Sequence, residues 1–473
     1  MATQQSFAET LLDAVTLAYQ TNPDLQAQRA NQRAIDEEYV QALAGFRPTI
    51  SLGVQNTYTD PSGFSTPRNA STIGVTVSQA IWTGGRLATA VDGARADILQ
   101  GRENLRAYES QVLGAVIQGY VDVRRDTEAL AINEQHVDIL KKQLEQARAQ
   151  FDVGEITRTD VAQAEARLAA AQAQLEASRA QLSVSRAAYA AVVGQAPADL
   201  APEPALPGVP DAFDSAMDVA LADNASLRAA QYGEAATRSR VASARAQYRP
   251  SVSLSANYGA SIAPTYGVPL SQRDQVQATA SLSVPLFSGG LTGSRVRQAL
   301  ERDNAAALGI DSVRRQVLQN VSQAWARVLS TRASLQSNQE QVRADTIAAE
   351  GVRQEYQVGL RTTIDVLNAE QELRDAELSL VNSRHDNYVA TAQLLQAMGR
   401  LEARNLVSTV PVYDPKANFD RVKNSGTIFV DRLIEGLDEV LKPSGRHVTE
   451  QANAPIDQQL RAKSPPRPLP TRP

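Results

Sequence analysis

Few side chains in this sequence can do covalent chemistry, and their spacing assigns them none. Cysteine is absent and histidine numbers three. That removes thiol nucleophiles, disulfides, thiolate metal ligands and a lipidated N-terminal cysteine. His136, His385 and His447 stand far apart, and none is set among acidic residues at a metal-binding spacing. Each reads as a solvated or packed helix histidine. No Ser/His/Asp arrangement can be assembled. The glycines of Trp82-Thr-Gly-Gly-Arg86 open a helix, but the Lys-Ser/Thr that a phosphate loop needs is lacking. The sequence therefore predicts no enzyme, no metal and no cofactor. A net charge of −5 with no basic stripe argues against nucleic acid as a partner. The polar motif that remains is duplicated: Phe151-Asp-Val-Gly154 leads to Thr157 and Asp160, and Tyr356-Gln-Val-Gly359 leads to Thr362 and Asp365.

The elements that carry these motifs also come in two sets. Residues about 7–200 and about 212–405 follow one plan. Arg47-Pro48 answers Arg249-Pro250 at an offset of 202, and Gly84-Gly85 answers Gly289-Gly290 at an offset of 205. The second offset then holds: Thr157, Asp160, Val161, Glu165 and Leu168 answer Thr362, Asp365, Val366, Glu370 and Leu373. A period this long is not a solenoid unit; it marks a duplicated half-protein.

In each half a helix ends at Arg-Pro, because proline forces its predecessor toward extended geometry. Period-two runs follow. They predict strands over about 49–59 and 72–82 in the first half and about 251–259 and 276–287 in the second, with Pro/Gly/Ser-rich loops between. Each strand has roughly the length that crosses a bilayer when tilted. The pairs Gly84-Gly85 and Gly289-Gly290 then switch the period from two to seven. Their duplication predicts strand-to-helix hinges, against the plainer alternative of simple turns. From Arg86 to Phe151 there is no proline, which predicts a helix roughly 100 Å long. The helix after it carries a seam stepping by three and four, Val161, Ala164, Leu168, Ala171, Leu175, Ser178 and Leu182, answered by Val366, Ala369, Leu373, Ala376, Leu380 and Ser383. Residues 406–473 have no counterpart in the repeat. There Phe429, Leu433, Leu437 and Leu441 predict a short amphipathic helix against the outside of the long helices, and the proline-rich end predicts disorder.

No run of about 18 apolar residues occurs, so a membrane span of this chain has to be a β-barrel. Four strands cannot close one, since the smallest bacterial membrane barrels have about eight. Strands that cross lipid would therefore require oligomerisation, for which two or three copies would both serve. A soluble periplasmic coiled-coil structural or adaptor protein would share the seams, but it gives no reason for four duplicated strands.

The duplicated helix–strand–strand–helix plan resembles the TolC family of bacterial outer-membrane channels over about residues 7–405. The most specific match is Tyr356-Gln-Val-Gly-Leu-Arg-Thr-Thr-Ile-Asp-Val-Leu-Asn368. The resemblance implies an α+β membrane protein. It would be a homotrimer with a β-barrel in outer-membrane lipid, four strands per chain, continued by a long periplasmic α-helical barrel of coiled coils. It also implies an exit duct for type I protein secretion and/or efflux, opened by a periplasmic adaptor (a membrane fusion protein) and an inner-membrane ABC exporter or proton-driven pump. Lipidated drug-efflux relatives carry an N-terminal cysteine, so its absence here leans toward the unlipidated secretion branch. The start, Met1-Ala-Thr-Gln-Gln, lacks the features of a signal peptide, and an exported chain is expected to have had one removed. The matched motif places a periplasmic gate at Thr159 and Asp160 of one half against Tyr356 and Arg361 of the other. Only the second half has these donors; the first has Phe151 and Ile156 in their places. The same match puts Asp365 in a lumen constriction. At Asn368 this chain departs from a second Asp in the family pattern, so a double acidic ring does not carry over.

Overall fold

The computed structural model describes residues 8–59, 68–263, 271–407, 411–428, 431–440, 442–445 and 460. The first half runs α1 (Leu11–Thr21), α2 (Pro23–Ala44), β1 (Thr49–Thr59), β2 (Arg68–Trp82), α3 (Arg86–Asp152) and α4 (Arg158–Val193). The second repeats the order as α5 (Phe213–Asp223), α6 (Ala225–Ala246), β3 (Ser251–Ala263), β4 (Ser271–Ser283), α7 (Leu291–Gln357) and α8 (Thr363–Ala397). The extension adds α9 (Ala403–Leu406), α10 (Pro415–Val422) and α11 (Asp431–Glu439).

Helices α3 and α7 have 67 residues each, about 100 Å at 1.5 Å per residue. They lack proline and are rich in strong helix formers. They end where Gly154 and Gly359 take left-handed φ values of +82° and +80°, a conformation that only glycine adopts without strain. The next helix then starts on a capping box, Thr157 with Asp160 or Thr362 with Asp365. Beside each long helix two shorter ones meet end to end. Asn22 caps α2 through the Leu25 N–H at 3.1 Å, and its amide donates to the Val192 carbonyl at the end of α4 at 3.0 Å. Asn224 does the same between α6 and α8, accepting from Leu227 N–H at 3.2 Å and donating to the Ala397 carbonyl at 2.9 Å. One asparagine thus satisfies an orphan donor of one helix and an orphan acceptor of the next. Each coiled coil also holds one polar layer in register: Asn133 donates to Ser178 at 2.8 Å, and Asn338 to Ser383.

The four strands form one antiparallel sheet in the order β1-β2-β3-β4. Its register aligns one apolar face: Leu52 opposes Val75, Val75 opposes Tyr258, and Tyr258 opposes Val276. That face is bare in the single chain, with Ile50, Leu52, Val54 and Val276 about 70% exposed or more. Among the described residues β1 and β4 each keep an unpaired edge. No described helix is long and apolar enough to cross a membrane.

Strand ends differ from the sequence expectation. Strand β2 begins at Arg68 rather than 72, β3 reaches Ala263 rather than 259, and β4 covers Ser271–Ser283 rather than 276–287. Period two continues through Val284 and Leu286, but Ser251–Ser283 is the last pair of the β3–β4 ladder. Pro250 and Pro285 lie just beyond it and have no N–H to give. The extension helix is also corrected. Of its expected apolar stripe, Phe429 and Leu441 lie outside the described residues, and Leu433 and Leu437 are 68% and 47% exposed. Helix α11 instead buries Asp431, Ile434 and Asp438, because its acidic side is needed at the first hinge.

Candidate functional site

Both predicted hinges are sharp left-handed turns. Gly84 and Gly85 have φ of +67° and +86°, and Gly289 and Gly290 have +62° and +83°. An L side chain at these positions would be strained. At the first hinge the N-terminus of α3 is capped from 350 residues away. The fully buried Asp438 carboxylate accepts from Thr83 N–H at 2.5 Å, Gly85 N–H at 3.1 Å and Ala88 N–H at 3.2 Å, and from the Thr83 hydroxyl at 3.0 Å. No cation is needed, because the unpaired N–H groups of a helix start carry partial positive charge. Sequence reading missed Asp438, and the only available signal was an acid on the wrong side of a supposed apolar stripe. At the second hinge Ser288 accepts weakly from Thr292 N–H at 3.4 Å. Leu286 and Phe287, the counterparts of Ile81 and Trp82, are 93% and 91% exposed there.

The far ends of the long helices hold the other predicted residues. Asp160 and Asp365 spend one carboxylate oxygen each on Thr157 and Thr362. Hydrogen bonds from the threonine hydroxyl and N–H hold both carboxyls below the usual carboxylate range, which favours their ionised form. Tyr356 crosses to the first half, donating its hydroxyl to Gln150 of α3 at 2.6 Å. Arg361 does not cross: it pairs with Glu355 of its own coil at 2.7 Å, back over the Gly359 turn. Within one chain neither donor meets Asp160, whose carboxylate serves its capping box, and Thr159 is exposed. Asn368 accepts from Arg167 of α4 at 3.0 Å, and Arg167 also donates to Gln371. This second tie between the halves was not foreseen. Its trace in the sequence is that Arg167 is answered by Glu372, a reversal of charge at an otherwise matched position.

The sequence model of the outer membrane efflux protein family matches residues 14–195 and again 216–400, one match to each half of this architecture. The chain belongs to that family. It is 33% identical to the outer membrane efflux protein BepC of Brucella suis biovar 1 (strain 1330) over 421 residues, 89% of this chain and 92% of BepC. It is 24% identical to TolC of Escherichia coli (strain K12) over 420 residues, 85% of each chain. The fold matches the solved outer membrane channel CmeC of Campylobacter jejuni with a TM-score of 0.72 at 15% identity, over 89% of this chain and 90% of that one. The chain is thus one protomer of a trimeric TolC-type channel in the outer membrane, reaching into the periplasm. In such a channel the bare face of the sheet meets lipid, and β1 of one protomer pairs with β4 of the next, because an open edge in hydrocarbon leaves N–H and C=O groups unsatisfied. What the arrangement offers is a duct.

Proposed function

We propose that this channel is a gated exit duct, held shut at the helix ends distant from the sheet until a periplasmic adaptor opens it. The adaptor would be coupled to an inner-membrane ABC exporter or proton-driven pump, and the cargo would be effluxed compounds, secreted protein or both. The observation that carries this reading is how lightly the two coils are tied there. Tyr356 to Gln150 and Arg167 to Asn368 and Gln371 are the polar ties between halves near the motif, beside one apolar contact of Leu367, and all these polar groups lie at least partly open to water. Such contacts contribute about 0–1 kcal/mol each, enough to bias a mouth shut and little enough for a partner to reverse. Thr159, Asp160, Tyr356 and Arg361 border this mouth in the proposal. Efflux is supported by the name of BepC. Asp365 would contribute one carboxylate per protomer to a ring at the constriction, and a ring of like charges at a narrow mouth favours cations. Single-channel recording in planar bilayers tests this. Asp365→Ala should lower cation selectivity and weaken block by multivalent cations. Unaltered selectivity would place Asp365 outside the conducting path.

A further inference from the structure

The extension after α9 climbs toward the sheet and then turns sideways. Arg47, just past α2, pairs with Asp431 at the start of α11 at 3.2 Å. Asp438 near its end caps α3, Lys442 pairs with Asp92 of α3, and the Ser444 carbonyl accepts from Arg245 of α6. The segment therefore crosses three neighbouring helices at the level of the hinge, around the circumference rather than along the axis. At about 100° per residue, α11 has three sides. Asp431, Ile434 and Asp438 face the protein. Arg432, Glu435 and Glu439 fall on one flank, and Leu433, Leu437 and Val440 on the other, where they are 68%, 47% and 60% exposed. The charged flank borders a cleft shared with Arg95 and Lys423. Arg95 lies nine residues into α3, about 14 Å beyond the hinge, so this flank looks away from the sheet and the apolar flank looks toward it. Ile81, at the hinge end of β2, packs in the same cluster as Ile434.

We propose that α11 is an interfacial helix whose Leu433–Leu437–Val440 flank lies against phospholipid at the periplasmic leaflet of the outer membrane. The occupant follows from continuity: this flank adjoins the end of the barrel whose apolar face meets lipid. A helix in the membrane plane with apolar residues on one side and charges on the other is the form that binds such a boundary. It also explains why the apolar stripe is turned out while aspartates are turned in.

The absence of cysteine makes single-cysteine labelling clean. Nitroxides would be placed by Leu433→Cys and Leu437→Cys, by Glu439→Cys on the charged flank, and by Val54→Cys on the sheet. The trimer would be reconstituted in phosphatidylethanolamine/phosphatidylglycerol vesicles. Collision with oxygen, which concentrates in lipid, is compared with collision with a water-soluble nickel complex. Labels at 433 and 437 should show a severalfold higher oxygen-to-nickel ratio than 439, approaching that at 54. If they match 439, or are shielded from both probes as under a second protein surface, the proposal is overturned. Loss of the oxygen preference at Val54→Cys as well would overturn the lipid contact of the sheet, and α11 would fall with it.

Discussion

The two hinges are built from matching sequence yet stand in opposite states. Around Gly84-Gly85 the chain completes itself: Asp438 caps the helix, and a Cβ on Gly85 would come within 2.9 Å of Lys442 and Pro443. Around Gly289-Gly290 nothing lies within 4 Å of where a Cβ would be, and Leu286 and Phe287 are bare. The contrast extends down the helices. Of 67 residues each, α3 buries 24 and α7 buries 7. Helix α3 has neighbours on both sides, α2 and α4 on one and α6 and α8 on the other, whereas α7 packs against second-half helices and reaches α3 through Tyr356 at its far end. The lesson is that duplication supplied two equivalent halves and the single chain satisfies only one. Among the described residues the extension caps the first hinge and not the second, whose bare side chains an adjacent protomer of the trimer would have to cover.

The largest effect expected from this contrast is on the caps. Asp438→Ala leaves buried donors at Thr83, Gly85 and Ala88 without an acceptor, a loss on the order of 3 kcal/mol per protomer. Ser288→Ala at the second hinge removes a long bond from Thr292 N–H and a hydroxyl contact with Thr292 at 3.0 Å, both partly open to water, and should cost about 1 kcal/mol or less. Thermal dissociation of the detergent-solubilised trimer reads both. Equal losses would mean that the second hinge is capped as firmly in the trimer as the first is in the chain, and the contrast would not survive assembly.

This asymmetry also marks how far the sequence could be read. The glycine pairs, the Arg-Pro helix ends and the three–four seams are local signals, and local geometry answered them: left-handed φ at all four glycines, and Ala164, Ala171, Leu175 and Leu182 buried on α4. The matching seam of α8 was less clean. Val366, Ala376 and Leu394 are buried, but so are Leu367 and Leu395, because α8 rests on α3 as well as α7. A heptad pattern assumes one partner and cannot show a second. Asp438 and Arg167 were illegible for the related reason that their partners are distant in the chain. Periodicity also pointed α11 the wrong way, since it shows that a helix is two-sided without showing which side is inward.

Two histidines, His136 buried and His385 half-buried, sharpen the contrast at the contact of the halves. His136 belongs to α3 and His385 to α8. Burial, with Arg374 nearby, pushes the His136 imidazole down to about 4. The unfolded chain then binds protons first as pH falls through about 6.5, so stability is lost between there and about 4, on the order of 2–3 kcal/mol per site. His385 is the reverse. Burial alone would push it down, but hydrogen bonds to Asp122 at 2.8 Å and Asp386 at 2.9 Å outweigh that and raise it. Its contribution is fully present below the unfolded value and fades as pH rises through the raised one. Melting of the trimer against pH should therefore lose part of its acid slope, between about 6.5 and 4, in His136→Gln, whereas His385→Gln should destabilise chiefly on the acidic side. Shifts of the same sign would show that the two sites are electrostatically alike.

The smallest effect on stability, and the sharpest test of the halves, is expected at the helix ends. Tyr356→Phe makes the second half match the first, where Phe151 stands, and removes the bond to Gln150. With Arg167→Ala it cuts both polar ties described between the halves near the motif. Arg361→Ser instead releases a guanidinium that within the chain bonds only its own coil; any hold it has on the mouth must reach the Asp160 side of an adjacent protomer. Each change should alter trimer melting by no more than about 1 kcal/mol, because exposed pairs contribute little while seams and barrel remain. Their conductances should differ. If the mouth is held inside protomers, Tyr356→Phe with Arg167→Ala raises single-channel conductance and Arg361→Ser does not. If it is held between them, Arg361→Ser raises it alone. Intact trimers with unaltered conductance in both would mean that packing of the coils closes the mouth, since the polar ties would then be the consequence of closure and not its cause.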